Sequence, residues 1–245
     1  MPRRLSAVLS PAEALPRAAT ALVVDVIRAT TTAAFLLDGG ARELVLTAEV
    51  AQARAEARRR GALLAGERGG LPPEGFDLGN SPREVHPDRV RGRTVVMTTT
   101  NGTRAALRAA GAAERVGLAA LVNAGAAVRW AAARGGDVVL LAAGREGRAA
   151  LDDAYVLGAL VAGFRGLEPD ARLDDGARLA QALFLAYPDP RSLLPSSAAA
   201  AALAQVGLAA DVEVCARTDA LLVVPELAAR EGAALRFRPV YPKGV

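Results

Sequence analysis

The sequence predicts an α/β protein with three layers: a largely parallel or mixed sheet with helices on both faces. Three observations lead there. Short apolar runs rich in β-branched residues alternate with alanine-rich helical stretches along the chain. Glycine closes several of the helical stretches, the usual way to end a helix. Polar clusters sit where apolar runs stop, and sheets of this kind bind ligands at the carboxyl ends of their strands.

The elements follow in order. ALVVDVI (21–27) reads as a strand, and a helical pattern then runs to Asp38, where Gly39-Gly40 stops it. ELVLT (43–47) is the next strand, 48–60 an alanine-rich helix ended by Gly61, and 62–66 another buried strand. A loop rich in glycine and proline covers 66–80, and Ser81-Pro82 looks like an N-cap followed by a first-turn proline. Residues 93–100 form a strand, 103–110 a helix closed by Gly111, 114–118 a short strand, 123–134 a helix and 137–144 the clearest strand. Helices are expected over 152–164 and near 175–187 and 196–206, and late strands near 212–216, 220–224 and 235–240. No linker or internal repeat interrupts the pattern, so residues 1–245 are read as a single α/β domain.

Composition narrows the function. With 52% hydrophobic residues the chain can bury a sizeable core, while 4% aromatics argue against stacking platforms for single-stranded nucleic acid. The net charge of +4 comes from arginines scattered among acidic residues; the longest basic run, Arg58-Arg59-Arg60, ends a helix where cations favour the dipole. No nucleic-acid partner is therefore expected. Cys215 is the sole cysteine, so no intrachain disulfide can form, as suits a reducing cytoplasm. The N-terminus lacks a signal-peptide pattern, and no apolar stretch reaches the roughly 20 residues of a membrane span. A cytoplasmic protein without a membrane partner is expected; a homo-oligomer is compatible with the sequence. His86 is the sole histidine, which removes histidine-rich zinc sites and Ser-His-Asp triads. A metal would then need carboxylates, which points to Mg2+ or Mn2+. His86, Trp130 and Cys215 are read as packing residues.

Four strand ends carry the chemistry. In the first, Asp25 interrupts an apolar strand, so its carboxylate needs a metal, an arginine or hydrogen-bond donors. Arg28 follows, and Thr30, Thr31 and Thr32 occupy a helix start, where free N–H groups attract anions. The plainer reading is N-capping with an Asp25–Arg28 pair. In the second, Glu67 and Arg68 precede Gly69-Gly70. In the third, Thr98, Thr99, Thr100, Asn101, Gly102 and Thr103 combine hydroxyls, an amide and a tight turn before a helix, which suits a phosphate or sulfonate oxygen. In the fourth, Gly144-Arg145 leads to Asp152-Asp153, which serve either as ligands or as acids favouring a helix dipole. Arg28, Arg68 and Arg145 are the candidate anion clamps.

These segments carry a resemblance. DVIRATTT, GERGG, GFDLGNSP (75–82), TTTNGT and the AG…DD pattern resemble signature segments of the 2-phosphosulfolactate phosphatases. Similar pieces continue through Gly207 to Asp211, Cys215-Ala216, Asp219 and Val224-Pro225, so the resemblance spans about Val23 to Pro225. The stretch from Ala154 to Gly158 departs from it. The resemblance implies Mg2+-dependent hydrolysis of (2R)-2-phospho-3-sulfolactate to 3-sulfolactate and phosphate, a step that in the family serves coenzyme M biosynthesis. Asp25, Arg28 and Asn101 are the expected catalytic residues, and Asp25, Glu67 and Asp153 the expected metal ligands. Arg28, Thr30, Thr31, Arg68, Asn80, Ser81, Thr99, Thr100, Asn101, Gly102, Thr103 and Arg145 are expected around the small anionic phosphorylated substrate. Either Asp25 or a water molecule attacks phosphorus. The DxDxT pattern of haloacid-dehalogenase phosphatases fits poorly, because Ile27 stands where its second aspartate would be. Another 2-hydroxy acid phosphate as substrate, or a non-catalytic anion binder on the same fold, are the alternatives.

Overall fold

A computed structural model describes residues 2–242. Its elements are β1 (Arg4–Val8), β2 (Ala18–Val24), α1 (Ala29–Asp38), β3 (Glu43–Leu46), α2 (Val50–Arg60), β4 (Leu63–Gly66), α3 (Pro87–Val90), β5 (Thr94–Thr98), α4 (Gly102–Ala112), β6 (Ala113–Ala119), α5 (Ala124–Ala132), β7 (Val138–Ala142), α6 (Leu151–Leu167), β8 (Arg172–Leu173), α7 (Asp175–Ala186), α8 (Pro190–Leu193), α9 (Ala198–Gln205), α10 (Asp211–Cys215), β9 (Val224–Glu231) and β10 (Ala234–Val240). The strands form one mixed, mostly parallel sheet in the order β4-β5-β3-β10-β9-β6-β2-β7-β1-β8, with helices as the outer layers of a three-layer α/β fold.

Burial explains the apolar runs. β5, β7 and β2 from Thr20 onward are wholly buried, so both faces of these strands are apolar and show no alternation. Helices α5, α6 and α7 pack side by side, and α6 and α7 lie on β7 and β1. Trp130, Tyr155 and Phe164 fill this part of the main core. A smaller core of Val45, Ala53, Ala57, Val96 and Ala234 lies under α2.

The pairing pattern has a geometric consequence. β4, β5 and β3 are mutually parallel, and so are β6, β2, β7, β1 and β8. Between the two blocks lies the β9–β10 hairpin, antiparallel to β3 on one side and to β6 on the other. Three antiparallel steps in succession leave the blocks running in opposite senses. In a flat sheet their carboxyl ends would lie on opposite edges. Yet a Cβ on Gly102, just past β5, would lie 2.8 Å from Asp25 Oδ2, just past β2. The sheet therefore bends around α1, which touches β3, β6, β9 and β10. The register shift at Arg236/Phe237 in the hairpin supplies an irregularity of the kind that bends strands.

The sequence reading needs three adjustments. DVEVC is the short helix α10, not a strand near 212–216. The strand expected at 220–224 instead begins at Val224 and continues to Glu231. β1 and the two-residue β8 were not anticipated; both are short, and β1 opens on an exposed arginine.

Candidate active site

The first strand end is built around Asp25. The N–H and hydroxyl of Thr30 both donate to the Asp25 carbonyl, each at 2.9 Å, and Thr30 Oγ1 accepts from the Asp25 N–H at 3.1 Å. The Thr31 hydroxyl donates to the Val26 carbonyl (2.8 Å) and that of Thr32 to the Asn80 carbonyl (3.0 Å). All three threonines are buried. Their hydroxyls thus lock the turn between β2 and α1 instead of reaching outward, which answers why three poor helix formers stand there. The Asp25 side chain accepts from the Ala29 N–H at 3.2 Å and has no arginine partner. Gly102 is required beside it, since a Cβ there would also sit 2.7 Å from the Ala29 Cβ.

Arg28 does not pair with Asp25. Its guanidinium donates to Asp211 Oδ2 at 2.6 Å and to the Gly70 carbonyl at 2.7 Å, with the side chain only 2% exposed. The Ser81 hydroxyl completes Asp211 by donating to Oδ1 at 2.7 Å. This enclosed network ties together the start of α1, the loop after β4, Ser81 and α10. Ser81 also caps the short turn at Pro82, accepting from the Arg83 N–H. Asn80 is buried beside it, with Oδ1 lacking a partner.

Arg68 is likewise engaged. It donates to the carbonyls of Glu67 (2.6 Å) and Ala48 (2.9 Å) and to Thr98 Oγ1 (2.9 Å), bracing the ends of β4 and β5. Glu67 accepts from the Gly70 N–H at 3.0 Å and from the Thr100 N–H at 2.8 Å. Gly66 makes this crossing possible: at φ 140° its absent Cβ would lie 2.0 Å from the Thr98 carbonyl oxygen. In the third segment Thr99 and Thr103 cap each other, each hydroxyl accepting the other's N–H at 3.2 Å. Thr100 is exposed and Asn101 half-buried at the start of α4, and neither side chain has a protein hydrogen bond.

Asp153, in the first turn of α6, joins the ends of β2 and β7. Its carboxylate accepts from the Val26 N–H and the Gly144 N–H, both at 2.9 Å. Burial holds its carboxyl well above the usual range, helped by the charges of Asp152 and Asp25. Burial also pushes Asp25 up to about 7; the nearby Asp152 and Glu67 carboxylates act in the same direction, against the amides of Ala29 and Gly102. Asp152 is raised to about 6 by burial, against amides at the start of α6 and the positive charge of Arg145.

Asp25, Glu67, Asp153 and Asn101 therefore converge on one region, although strand-end position alone, in a flat sheet, would leave Glu67 and Asn101 on the edge opposite Asp25 and Asp153. Their occupations differ from the sequence reading. Glu67 and Asp153 each have two backbone N–H groups on their carboxylates, so both are oriented by the main chain. Asp152, passed over in favour of its neighbour, is the buried carboxylate that acts electrostatically on Asp25. Asp211 was also missed as a site-building residue. The only sequence signal for Asp152 was its adjacency to Asp153; it is Asp153 that turns onto the N–H groups past β2 and β7. Among the described residues, no three of His, Cys, Asp and Glu are gathered as a ready-made metal cluster.

Comparison with known proteins adds a family to this geometry. The sequence model of the 2-phosphosulpholactate phosphatase family matches residues 6–230. A probable 2-phosphosulfolactate phosphatase of Thermus thermophilus is 50% identical over 236 residues, covering 96% of this chain and 99% of its own length. A protein of the same description from Deinococcus radiodurans is 48% identical over 222 residues, covering 89% and 92%. One from Thermotoga petrophila is 36% identical over 209 residues, covering 85% and 88%.

Proposed function

Because the chain belongs to the 2-phosphosulpholactate phosphatase family, we propose that it hydrolyses (2R)-2-phospho-3-sulfolactate to 3-sulfolactate and inorganic phosphate. The observation that carries this reading is a pair of buried carboxylates without an ion-pair partner among the described residues: Asp25, next to the start of an eleven-residue helix, and Asp152, whose charge acts on it. Helix starts favour phosphate oxygens, and the unbonded side chains of Thr100 and Asn101 stand there as further donors. A pure anion binder gains nothing from buried acids beside such a loop.

The same pair fits Mg2+. The donors are hard carboxylate oxygens, and neither acid is neutralised by an ion pair. Mg2+ typically uses one or two carboxylates together with substrate phosphate and waters, so a preformed cluster of three is not needed. Asp25 and Asp152 would hold the ion, with Glu67 and Asp153 fixing the strand ends around them. When bound, Mg2+ would supply charge stabilisation to the phosphoryl oxygens.

The protein's own part is positioning. The side chains of Thr100 and Asn101, before α4, bind phosphoryl oxygens, and the Arg28–Asp211 network holds the loop that carries Glu67. Water attacks phosphorus, the bond between phosphorus and the oxygen on C2 breaks, and the proton that water loses ends on that oxygen, giving the 2-hydroxy acid and phosphate. A phosphate-release panel tests the substrate. The proposal expects kcat/KM on 2-phospho-3-sulfolactate to exceed that on other phosphorylated 2-hydroxy acids by at least about tenfold, or about 1.4 kcal/mol. Preference for a different 2-hydroxy acid phosphate would reassign the substrate, and no hydrolysis of any member would favour an anion binder.

A further inference from the structure

We infer that Arg145 is the residue that reads the second anionic group of the substrate, its carboxylate or sulfonate, and thereby sets preference for multiply charged phosphate esters. This rests on the phosphatase reading above and adds a specificity residue to it.

A substrate with a carboxylate and a sulfonate besides its phosphate carries about three to four negative charges and needs a cation besides any metal. Arg28 is enclosed with Asp211 and the Gly70 carbonyl, and Arg68 donates to two carbonyls and Thr98. Arg145 is different. Its side chain is 39% exposed, and its one ion-pair contact among the described residues is at 3.5 Å to Glu146, which is itself 80% exposed. Exposed pairs at that distance contribute little and are readily exchanged for a ligand.

Arg145 is also mounted where the chemistry is. Its charge acts directly on Asp152. The preceding residue, Gly144, donates to the Asp153 carboxylate that also holds the end of β2. The Arg145 and Arg148 main chains bond to each other in both directions (3.0 and 2.9 Å), closing a two-residue turn at Glu146-Gly147. Ser10 braces that turn from the loop after β1, donating to the Gly147 carbonyl at 3.2 Å. The guanidinium thus projects from a fixed backbone at the rim of the carboxylate site. Its planar fork matches a carboxylate or sulfonate bidentately.

The experiment compares kcat/KM of the wild type, Arg145→Gln and Arg145→Lys on two substrates. One is 2-phospho-3-sulfolactate; the other is phenyl phosphate, which has no second anion. Thermal unfolding of each variant checks that the fold is intact. The expected result is a fall of about 10–100-fold for Arg145→Gln on the sulfolactate ester. The fall on phenyl phosphate should be at least tenfold smaller, and Arg145→Lys should lie between wild type and Arg145→Gln. Inhibition by 3-sulfolactate, which lacks the phosphate, should weaken in parallel. Equal losses on both substrates, or no loss on either, would overturn the role of Arg145 while leaving the phosphatase reading in place. A wild-type enzyme that hydrolyses neither ester would overturn both.

Discussion

Replacing Asp25 with asparagine removes a charge from a site that has no ion pair for it, so the variant should gain stability as it loses activity. Burial raises the Asp25 carboxyl from 3.8 to about 7. At about 1.4 kcal/mol per pKa unit, this corresponds to roughly 4 kcal/mol against the charged folded state above pH 7. Asp152 and Asp153 share the same repulsion, so removing one charge should recover about 2–4 kcal/mol, or roughly 5–15 °C in Tm for a chain of this size. The sign follows from proton linkage. A carboxyl raised on folding makes the folded state bind more protons than the unfolded state between about pH 4 and 7, so wild-type stability falls as pH rises through that window. In chelator, Asp25→Asn should therefore melt well above wild type at pH 8, and the two should approach one another near pH 4. Saturating Mg2+ should raise the Tm of wild type more than that of the variant. Phosphate release should fall by more than about 100-fold. Thermal unfolding across pH, with and without chelator, gives the answer. A variant no more stable than wild type at pH 8, or a gain that persists undiminished at pH 4, would refute the reasoning.

Three further outcomes are expected. Arg28→Lys keeps the charge but not the fork, so it should lose about 1–3 kcal/mol of stability, with equal losses of kcat/KM on sulfolactate and phenyl esters; a loss confined to the sulfolactate ester would return Arg28 to the substrate. Gly66→Ala forces a Cβ to within 2.0 Å of the Thr98 carbonyl oxygen at a positive φ, and denaturant melts should show a cost of about 2–4 kcal/mol; an unchanged midpoint would contradict the close crossing. Turnover of an isotopically chiral thiophosphoryl substrate should invert the configuration at phosphorus, as a single direct attack by water requires; net retention would make Asp25 the nucleophile.

The strand ends were legible because β-branched apolar runs and the polar residues that stop them are local signals. That Asp25, Glu67, Asp153 and Asn101 stand at strand ends followed from position, but their meeting depends on the bend of the sheet around α1, which no local signal carries. Partner choice was not legible, because it depends on long-range geometry. Arg28 meets Asp211, 183 residues away, and no local pattern announces that pair. The DVEVC segment shows the limit of periodicity. Over five residues, alternating apolar positions suit a strand or a single buried helical turn equally well, and packing decided for the helix. Of the inserted hairpin, the strand expected near 235–240 is β10, while the reach of β9 to Glu231 was not legible, because β9 is only partly buried past Pro225 and lacks the continuous apolar run that marked β5 and β7. The different surroundings of Asp152 and Asp153 depend on helix phase, which an adjacent pair of acids does not reveal.

Metal dependence is the most direct test of the claim that Asp25 and Asp152 form a carboxylate site for Mg2+ and a phosphate ester. The protein is stripped with chelator, residual metal is quantified, and phosphate release from 2-phospho-3-sulfolactate is followed as Mg2+ is restored. The predicted result is release at background level in the stripped protein and recovery that saturates with Mg2+. Full activity in chelator, with metal analysis confirming removal, would contradict it.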